Sequence, residues 1–158
     1  MDNGRRYKCH CNDGDWKPQA TNICFGAKDN SYGNFSLSHT GILTKLKLEH
    51  TGATNLTCNT LFGITPSRWG CTADPPGFLK IVITDNENTI IIPKSQPDWG
   101  YYIPGYHGQS AVLEFDNLNI NANKDKELRI WYTDDLKDEA EYDNVGTSCT
   151  NVHAVFCD

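Results

Sequence analysis

The segment 96–107 concentrates aromatic rings in a loop rich in glycine and proline, and we call it the aromatic loop. It reads Gln-Pro-Asp-Trp-Gly-Tyr-Tyr-Ile-Pro-Gly-Tyr-His. Aromatic rings beside polar side chains suit sugars, whose C–H faces stack on the rings while their hydroxyls form hydrogen bonds. The predicted ligand-binding residues are Asp98, Trp99, Tyr101, Tyr102, Tyr106 and His107. The alternative is that two or three of these rings cap one end of a hydrophobic core.

A second cluster, the acidic segment 134–144, places six carboxylates within ten residues. Carboxylates so close together repel one another unless solvent or a cation screens their charges. Calcium takes six to eight oxygen ligands, often carboxylates and amides on a loop, although the EF-hand pattern is missing here. The candidate calcium ligands are Asp134, Asp135, Asp138, Glu141, Asp143 and Asn144. A solvated acidic loop without a cation is the alternative.

Amides and carboxylates also alternate between residues 119 and 127, so an extended segment would carry them on one side. The run consists of Asn119, Asn121, Asn123, Asp125 and Glu127. An EF-hand is excluded because Lys124 stands where the invariant glycine is needed. We interpret these side chains as solvent-facing turn residues.

Charge and motif content exclude several classes of function. The chain has 158 residues, a net charge of −6 and a pI near 5.3, and so lacks the clustered cations that nucleic-acid binding needs. Its longest aliphatic run, residues 90–92, is far shorter than the ~20 apolar residues that span a bilayer. Catalytic motifs such as G-x-S-x-G, H-E-x-x-H and the phosphate loop are missing. We therefore predict a non-enzymatic protein, although carboxylates paired in space for glycoside hydrolysis leave no sequence motif.

Seven cysteines predict a disulfide framework and hence an oxidising, extracellular location. The first expected pair is Cys58–Cys71, because both residues lie in a turn-rich stretch, and such a clip stabilises by roughly 3 kcal/mol. Cys149 and Cys157 flank the last predicted strand and should reach other segments. The odd count leaves one thiol. A structural zinc site is the alternative for the Cys-His-Cys at residues 9–11, but no second ligand pair is present.

Two sequons, at Asn34 and Asn55, suit a secreted glycoprotein. No apolar signal segment follows Met1, so we interpret the sequence as a mature or recombinant form.

The elements that must position these groups are predicted to be short strands. Apolar and charged residues alternate from Ile42 to Glu49, which predicts a strand with Ile42, Thr44, Leu46 and Leu48 on its buried face. Two β-branched runs separated by residues 85–88 predict a hairpin. The predicted strands are 42–49, 78–84, 89–92, 113–115, 128–132 and 152–156.

Thirteen glycines and seven prolines leave room for one short helical stretch at 134–142. The sequence therefore predicts an all-β antiparallel β-sandwich, jelly-roll-like or galactose-binding-like and stapled by disulfides. We expect a single domain over residues 1–158. Its residues 1–25 are expected to be irregular and tied to the core through Cys9, Cys11 or Cys24.

Several segments resemble a secreted β-sandwich module of invertebrate extracellular proteins. They are 22–26 (Asn-Ile-Cys-Phe-Gly), 29–33 (Asp-Asn-Ser-Tyr-Gly), 128–136, 141–144 and 149–156. The resemblance covers about half of the chain and implies secretion and an all-β fold, lectin-like at most. It assigns no functional residue. The strict motifs of rhamnose-binding and fucose-binding lectins are not matched.

Taken together, these observations predict a secreted, lectin-like module that binds an extracellular glycan or glycoprotein, with calcium as a candidate cofactor. A single shallow site of millimolar affinity is worth only about −4.1 kcal/mol, so useful avidity would require a homo-oligomer or other multivalent display. The alternative is an extracellular matrix or biomineral-associated protein whose acidic loops bind calcium and no sugar.

Overall fold

In the residues that the structure describes, nine strands form two antiparallel sheets. A computed structural model describes residues 14–52, 56–58, 67–71, 78–95, 100–139 and 141–157. The strands are β1 (Lys17–Gly26), β2 (Gly33–Ser36), β3 (Gly41–His50), β4 (Ile81–Thr84), β5 (Ile90–Ile92), β6 (Val112–Phe115), β7 (Ile120–Ala122), β8 (Glu127–Tyr132) and β9 (Thr147–Cys157). One helix, α1 (Thr133–Lys137), and a 3₁₀ turn (Glu141–Asp143) lie between β8 and β9.

The two sheets pack face to face. The five-stranded sheet has the order β1-β9-β3-β6, with β7 also paired to β3, and the four-stranded sheet has the order β2-β8-β4-β5. All named pairings are antiparallel. The predicted all-β sandwich is confirmed, as is the β4–β5 hairpin.

Alternation of side chains builds the core. In β8, Leu128, Ile130 and Tyr132 point between the sheets and are fully buried. Inward side chains of β3 and β9, including Leu46 and Val152, meet them from the other sheet. One hydrophobic core therefore spans both layers.

The inward face of β3 differs from the predicted one at its start. A β-bulge between Leu43 and Lys45 inserts one extra residue and changes the phase of the strand. Leu43 therefore joins the core, whereas Ile42 is only half-buried. Thr44 is buried and its hydroxyl donates to the carbonyl oxygen of Val155 at 3.2 Å.

The prediction that residues 1–25 are irregular is wrong for residues 17–25. They belong to β1, which pairs with the long strand β9. Register shifts lie between Pro18 and Ala20 and between Ala20 and Ile23, and Asn22 adopts a positive φ of 51°. These irregularities break the two-residue period by which a strand is recognised in a sequence.

Disulfides join both neighbouring and distant segments of the chain. The predicted Cys58–Cys71 bridge is confirmed. A second bridge, Cys24–Cys149, links paired positions of β1 and β9 and ties the N-terminal strand to the core. Cys157 is also disulfide-bonded. Cys9 and Cys11 lie outside the described residues.

Within the described ranges, no helix has the length and apolarity that crossing a membrane would require.

Candidate functional site

The acidic segment forms two short turns instead of one helix. Helix α1 follows β8 without a break and ends at Asp138, whose φ of 57° and ψ of 43° are left-handed. The 3₁₀ turn Glu141–Asp143 then leads towards β9. The helix predicted for residues 134–142 is therefore interrupted, and the segment folds back on itself.

Asp134 has a buried cationic partner. Its Oδ1 lies 2.7 Å from Nζ of Lys80, and both side chains are almost fully buried. The Oδ2 atom accepts a hydrogen bond of 3.1 Å from Nδ2 of Asn144. Two charges buried together lower the cost of removing each from water. Asp134 thus neutralises a lysine that the fold buries.

Asp135 holds a neighbouring loop. Its two carboxylate oxygens accept hydrogen bonds from the backbone N–H groups of Asn30 and Ser31, each at 2.7 Å. Asp29 and Asn30 have φ values of 66° and 57°, a conformation that needs local support. The carboxylate of Asp135, 1% exposed, supplies this support through two charge-assisted hydrogen bonds.

Glu141 interacts with a second carboxyl group. The hydrogen bond that it shares with Asp138, together with partial burial, raises the pKa of Glu141 to about 7. Its Oε1 also accepts a hydrogen bond of 3.1 Å from the backbone N–H of Asp29. Carboxylates in contact attract either a shared proton or a cation.

The candidate calcium ligands already have protein partners or contact one another. Asp134 and the Nδ2 of Asn144 are engaged by other protein groups, and Asp135 binds the backbone of residues 30–31. Glu141 shares hydrogen bonds with Asp138 and with Asp135, and Asp143 lies in the 3₁₀ turn. The buried Oδ1 of Asn144 has no hydrogen-bond partner among the residues that the structure describes. In the part of the chain that the structure describes, no three His, Cys, Asp or Glu side chains are arranged to hold a metal ion. Calcium binding stays a prediction.

The aromatic loop divides into supporting and exposed rings. Tyr101 supports the core: its backbone forms a bridge with Leu79, and its hydroxyl donates to the carbonyl oxygen of Ile81 at 2.6 Å. Tyr106 packs against the core, and burial raises the pKa of its phenol, as do the nearby carboxylates of Glu114 and Asp116.

Tyr102 and His107 face solvent. Tyr102 is 62% exposed, and its ring centroid lies 5.6 Å from that of Phe78. The Nδ1 of His107 accepts a hydrogen bond of 3.1 Å from the backbone N–H of Gln109, which leaves Nε2 as the donor of the neutral ring. Both side chains are accessible to a ligand. Asp98 and Trp99 lie outside the described residues.

Close packing fixes the base of this loop. A Cβ on Gly100 would collide with the ring of Phe78, so a larger residue at this position would have to displace that ring. The hydroxyl of Ser67 donates to the carbonyl oxygen of Gly108 at 2.9 Å, and Nε1 of Trp69 donates to that of Ser110 at 2.6 Å. The exposed rings therefore stand on a rigid support.

The structure contains a groove at the edge of the sandwich that the sequence did not predict. Two adjoining depressions of about 270 and 230 Å³ share Lys94, Asn117 and Leu118. We call them the edge groove, which lies between β5 and the segment that joins β6 to β7. Its remaining lining residues are Ile91, Ile92, Pro93, Ile103, Glu114, Phe115, Asp116, Asn119 and Ile120. Ile103 connects it to the aromatic loop.

The edge groove combines an apolar floor with polar groups at its rim. Leu118 and Ile120 are half-buried, whereas Lys94, Asp116 and Asn117 are exposed. Such a combination suits a ligand with both C–H surface and hydroxyl groups. The one sequence feature that could have indicated this groove is the Asp-Asn pair at 116–117, directly after β6. The sequence does not show that β5 lies opposite this pair.

The comparisons with known proteins identify a related lectin. The chain matches no family model and no curated protein. Among solved structures it is similar to AJLec from the sea anemone Anthopleura japonica, with a TM-score of 0.77 and 30% sequence identity over 90% of this chain and 98% of that one.

Proposed function

We propose that this chain, which belongs to the same family of lectin-like invertebrate modules as AJLec, is itself a carbohydrate-binding protein. The observation that carries the proposal is the similarity to AJLec, a lectin, over nearly the whole of both chains. The shared fold supports a binding role rather than a catalytic one. The disulfides fit an oxidising compartment, and we propose that the protein is secreted and acts outside the cell.

We place the sugar at the aromatic loop and the adjoining edge groove. Tyr102 offers an exposed ring for stacking and His107 a hydrogen-bond donor. Asp116 and Asn117 at the groove rim provide acceptors and a donor for hydroxyls. Asp98 and Trp99 belong to the same loop in the sequence and complete the proposed site. Tyr101 and Tyr106 position the loop through their contacts with the core.

A variant pair tests this placement. Tyr102→Ala removes the exposed ring and is expected to weaken binding to an immobilised glycan by roughly 5-fold to 150-fold, because a stacked ring contributes about 1–3 kcal/mol in comparable contacts. Tyr142→Ala is the matched control, because Tyr142 is 80% exposed but lies in the acidic segment. Retained binding by Tyr102→Ala together with lost binding by Tyr142→Ala would move the site to the acidic segment.

Calcium is the proposed cofactor, with Asp138 and Glu141 as its carboxylate ligands. Their mutual contact places negative charge where a divalent cation would relieve the repulsion. The Oδ1 of Asn144, which follows the 3₁₀ turn and accepts no hydrogen bond from the described residues, offers a neutral oxygen of the kind calcium accepts. In the bound state the ion would supply charge neutralisation and open coordination positions.

Calcium titration followed by thermal unfolding tests the cofactor. At a free calcium concentration 100 times Kd, binding stabilises by about 2.7 kcal/mol, which corresponds to a Tm increase of roughly 5–10 °C for a domain of this size. The same titration on Glu141→Gln should give a clearly smaller shift. A large shift in a protein that binds no glycan would favour the alternative function, a calcium-binding matrix protein.

A further inference from the structure

We propose that Asn34 carries an N-linked glycan on the outer face of the four-stranded sheet. Residues 34–36 read Asn-Phe-Ser, the tripeptide that oligosaccharide transfer requires. The proposal rests on the proposed secretory route and not on carbohydrate binding by this chain.

The strand geometry leaves the acceptor accessible. In β2, Phe35 points into the core and is 5% exposed, so the alternation of the strand turns Asn34 and Ser36 outward, where both are exposed. Strand β2 is also the first strand of its sheet and pairs with β8 alone in that sheet. A branched sugar attached at this position would therefore extend from an exposed side chain on an edge strand.

The amide nitrogen of Asn34 is only weakly engaged. Its Nδ2 lies 3.4 Å from Oε2 of Glu127, at the long limit for a hydrogen bond. That oxygen has a stronger donor, because Nε of Arg129 binds it at 2.9 Å. Replacing one hydrogen of Nδ2 therefore disturbs little, and the remaining N–H still has its acceptor.

The surroundings suit a first sugar residue. Asn34 faces Arg129 in the strand register, and the guanidinium group of Arg129 lies 4.4 Å from the ring centroid of Tyr32. Arg129 Nη1 also donates to Oδ1 of Asn88 at 3.1 Å. The patch thus presents the polar groups of Arg129 and Asn88 beside Asn34.

The chemistry is an ordinary group transfer. Nδ2 of Asn34 forms a bond to the anomeric carbon of the first sugar of a lipid-diphosphate-linked oligosaccharide. The bond between that carbon and the diphosphate breaks, the lipid diphosphate leaves, and one amide proton is released. No oxidant or reductant is needed.

The test is expression of the full chain through the secretory pathway of a eukaryotic host. The tryptic peptide that contains Asn34 is then treated with peptide N-glycosidase in heavy-oxygen water, which converts a glycosylated asparagine into labelled aspartate. We expect label at Asn34. A Thr57→Ala variant removes the second sequon, and it should retain one glycan.

Two matched substitutions keep Asn34 itself unchanged. Ser36→Ala destroys the sequon and should abolish the label, whereas Ser36→Thr preserves it and should retain the label. Melting curves confirm that each secreted variant is folded. An unlabelled Asn34 in both the wild-type protein and Ser36→Thr, or label at Asn55 alone, would overturn the proposal.

Discussion

Two carboxyl groups in contact give the acidic segment its unusual chemistry. Unfolding separates Glu141 from Asp138 and exposes both to water, so the pKa of Glu141 falls from about 7 towards its ordinary 4.5. The folded chain therefore holds a proton at pH values at which the unfolded chain has released it. Because the folded state binds more protons in this window, the contribution of Glu141 to stability decreases as pH rises from about 4.5 to about 7.

This linkage predicts a difference in pH dependence between the wild-type protein and Glu141→Gln. The free energy of unfolding of the wild type should fall more steeply between pH 4.5 and pH 7 than that of the variant, measured by urea unfolding in the presence of a calcium chelator. Excess calcium should flatten the wild-type curve, because the cation replaces the proton. Parallel curves for the two proteins would show that Glu141 does not titrate in this range.

The buried ion pair Lys80–Asp134 makes a second prediction at the level of residues. Lys80→Met leaves the carboxylate of Asp134 buried without its cation, which should cost about 3–5 kcal/mol in the free energy of unfolding. Lys124→Met, at an exposed position, is the control and should change stability by no more than about 0.5 kcal/mol.

The double variant Lys80→Met/Asp134→Leu checks the cause of that loss. Replacing both charges with apolar groups removes the unpaired carboxylate and should restore most of the stability. If the double variant is as unstable as Lys80→Met, the loss comes from packing and not from the stranded charge.

Residue roles in the acidic segment could not be predicted from the sequence alone. Six carboxylates in ten residues are typical of a solvated or cation-binding loop. The partners that bury Asp134 and Asp135 are Lys80 and the backbone of residues 30–31, which are distant in the chain. In contrast, the Cys58–Cys71 pair could be predicted, because both cysteines lie in one turn-rich stretch between predicted strands.

At the level of elements, the Cys24–Cys149 bridge fixes β1 to β9. The bridge closes 125 residues, so in the chain-entropy model its removal should cost about 5 kcal/mol, against roughly 3 kcal/mol for the 13-residue span of Cys58–Cys71. The prediction is that Cys24→Ala/Cys149→Ala unfolds at lower urea than Cys58→Ala/Cys71→Ala. An equal or opposite order would indicate that β1 pairing, and not the bridge, sets the stability of that edge.

Regular strands could be predicted, and irregular ones could not. The β4–β5 hairpin and the alternation of β8 follow from β-branched residues and a two-residue period. Strand β1 was missed because two register shifts interrupt its period, and the bulge in β3 moved Leu43 into the core. Strands β2 and β7 are no shorter than β5, but each contains only one large apolar residue, so no apolar run marks them in the sequence.

At the level of the molecule, two stacked sheets support the described part of the aromatic loop, in which Tyr102 and His107 are exposed. The fold class followed from dense turns and short apolar runs, and the similarity to AJLec confirms the lectin-like architecture. The edge groove forms because β5 lies opposite the segment after β6. These two segments come together only when the chain folds, so the groove could not be predicted from the sequence. The location of the sugar within this architecture is therefore a proposal that binding data must test.

Binding of the folded wild-type protein, displayed multivalently, to a glycan array tests the central claim most directly. We expect the wild-type protein to bind a subset of the glycans selectively. This binding should be lost in Tyr102→Ala and Trp99→Ala and kept in Tyr142→Ala. A uniform absence of binding across the array, with and without calcium and with the melting curve of an intact protein, would contradict it.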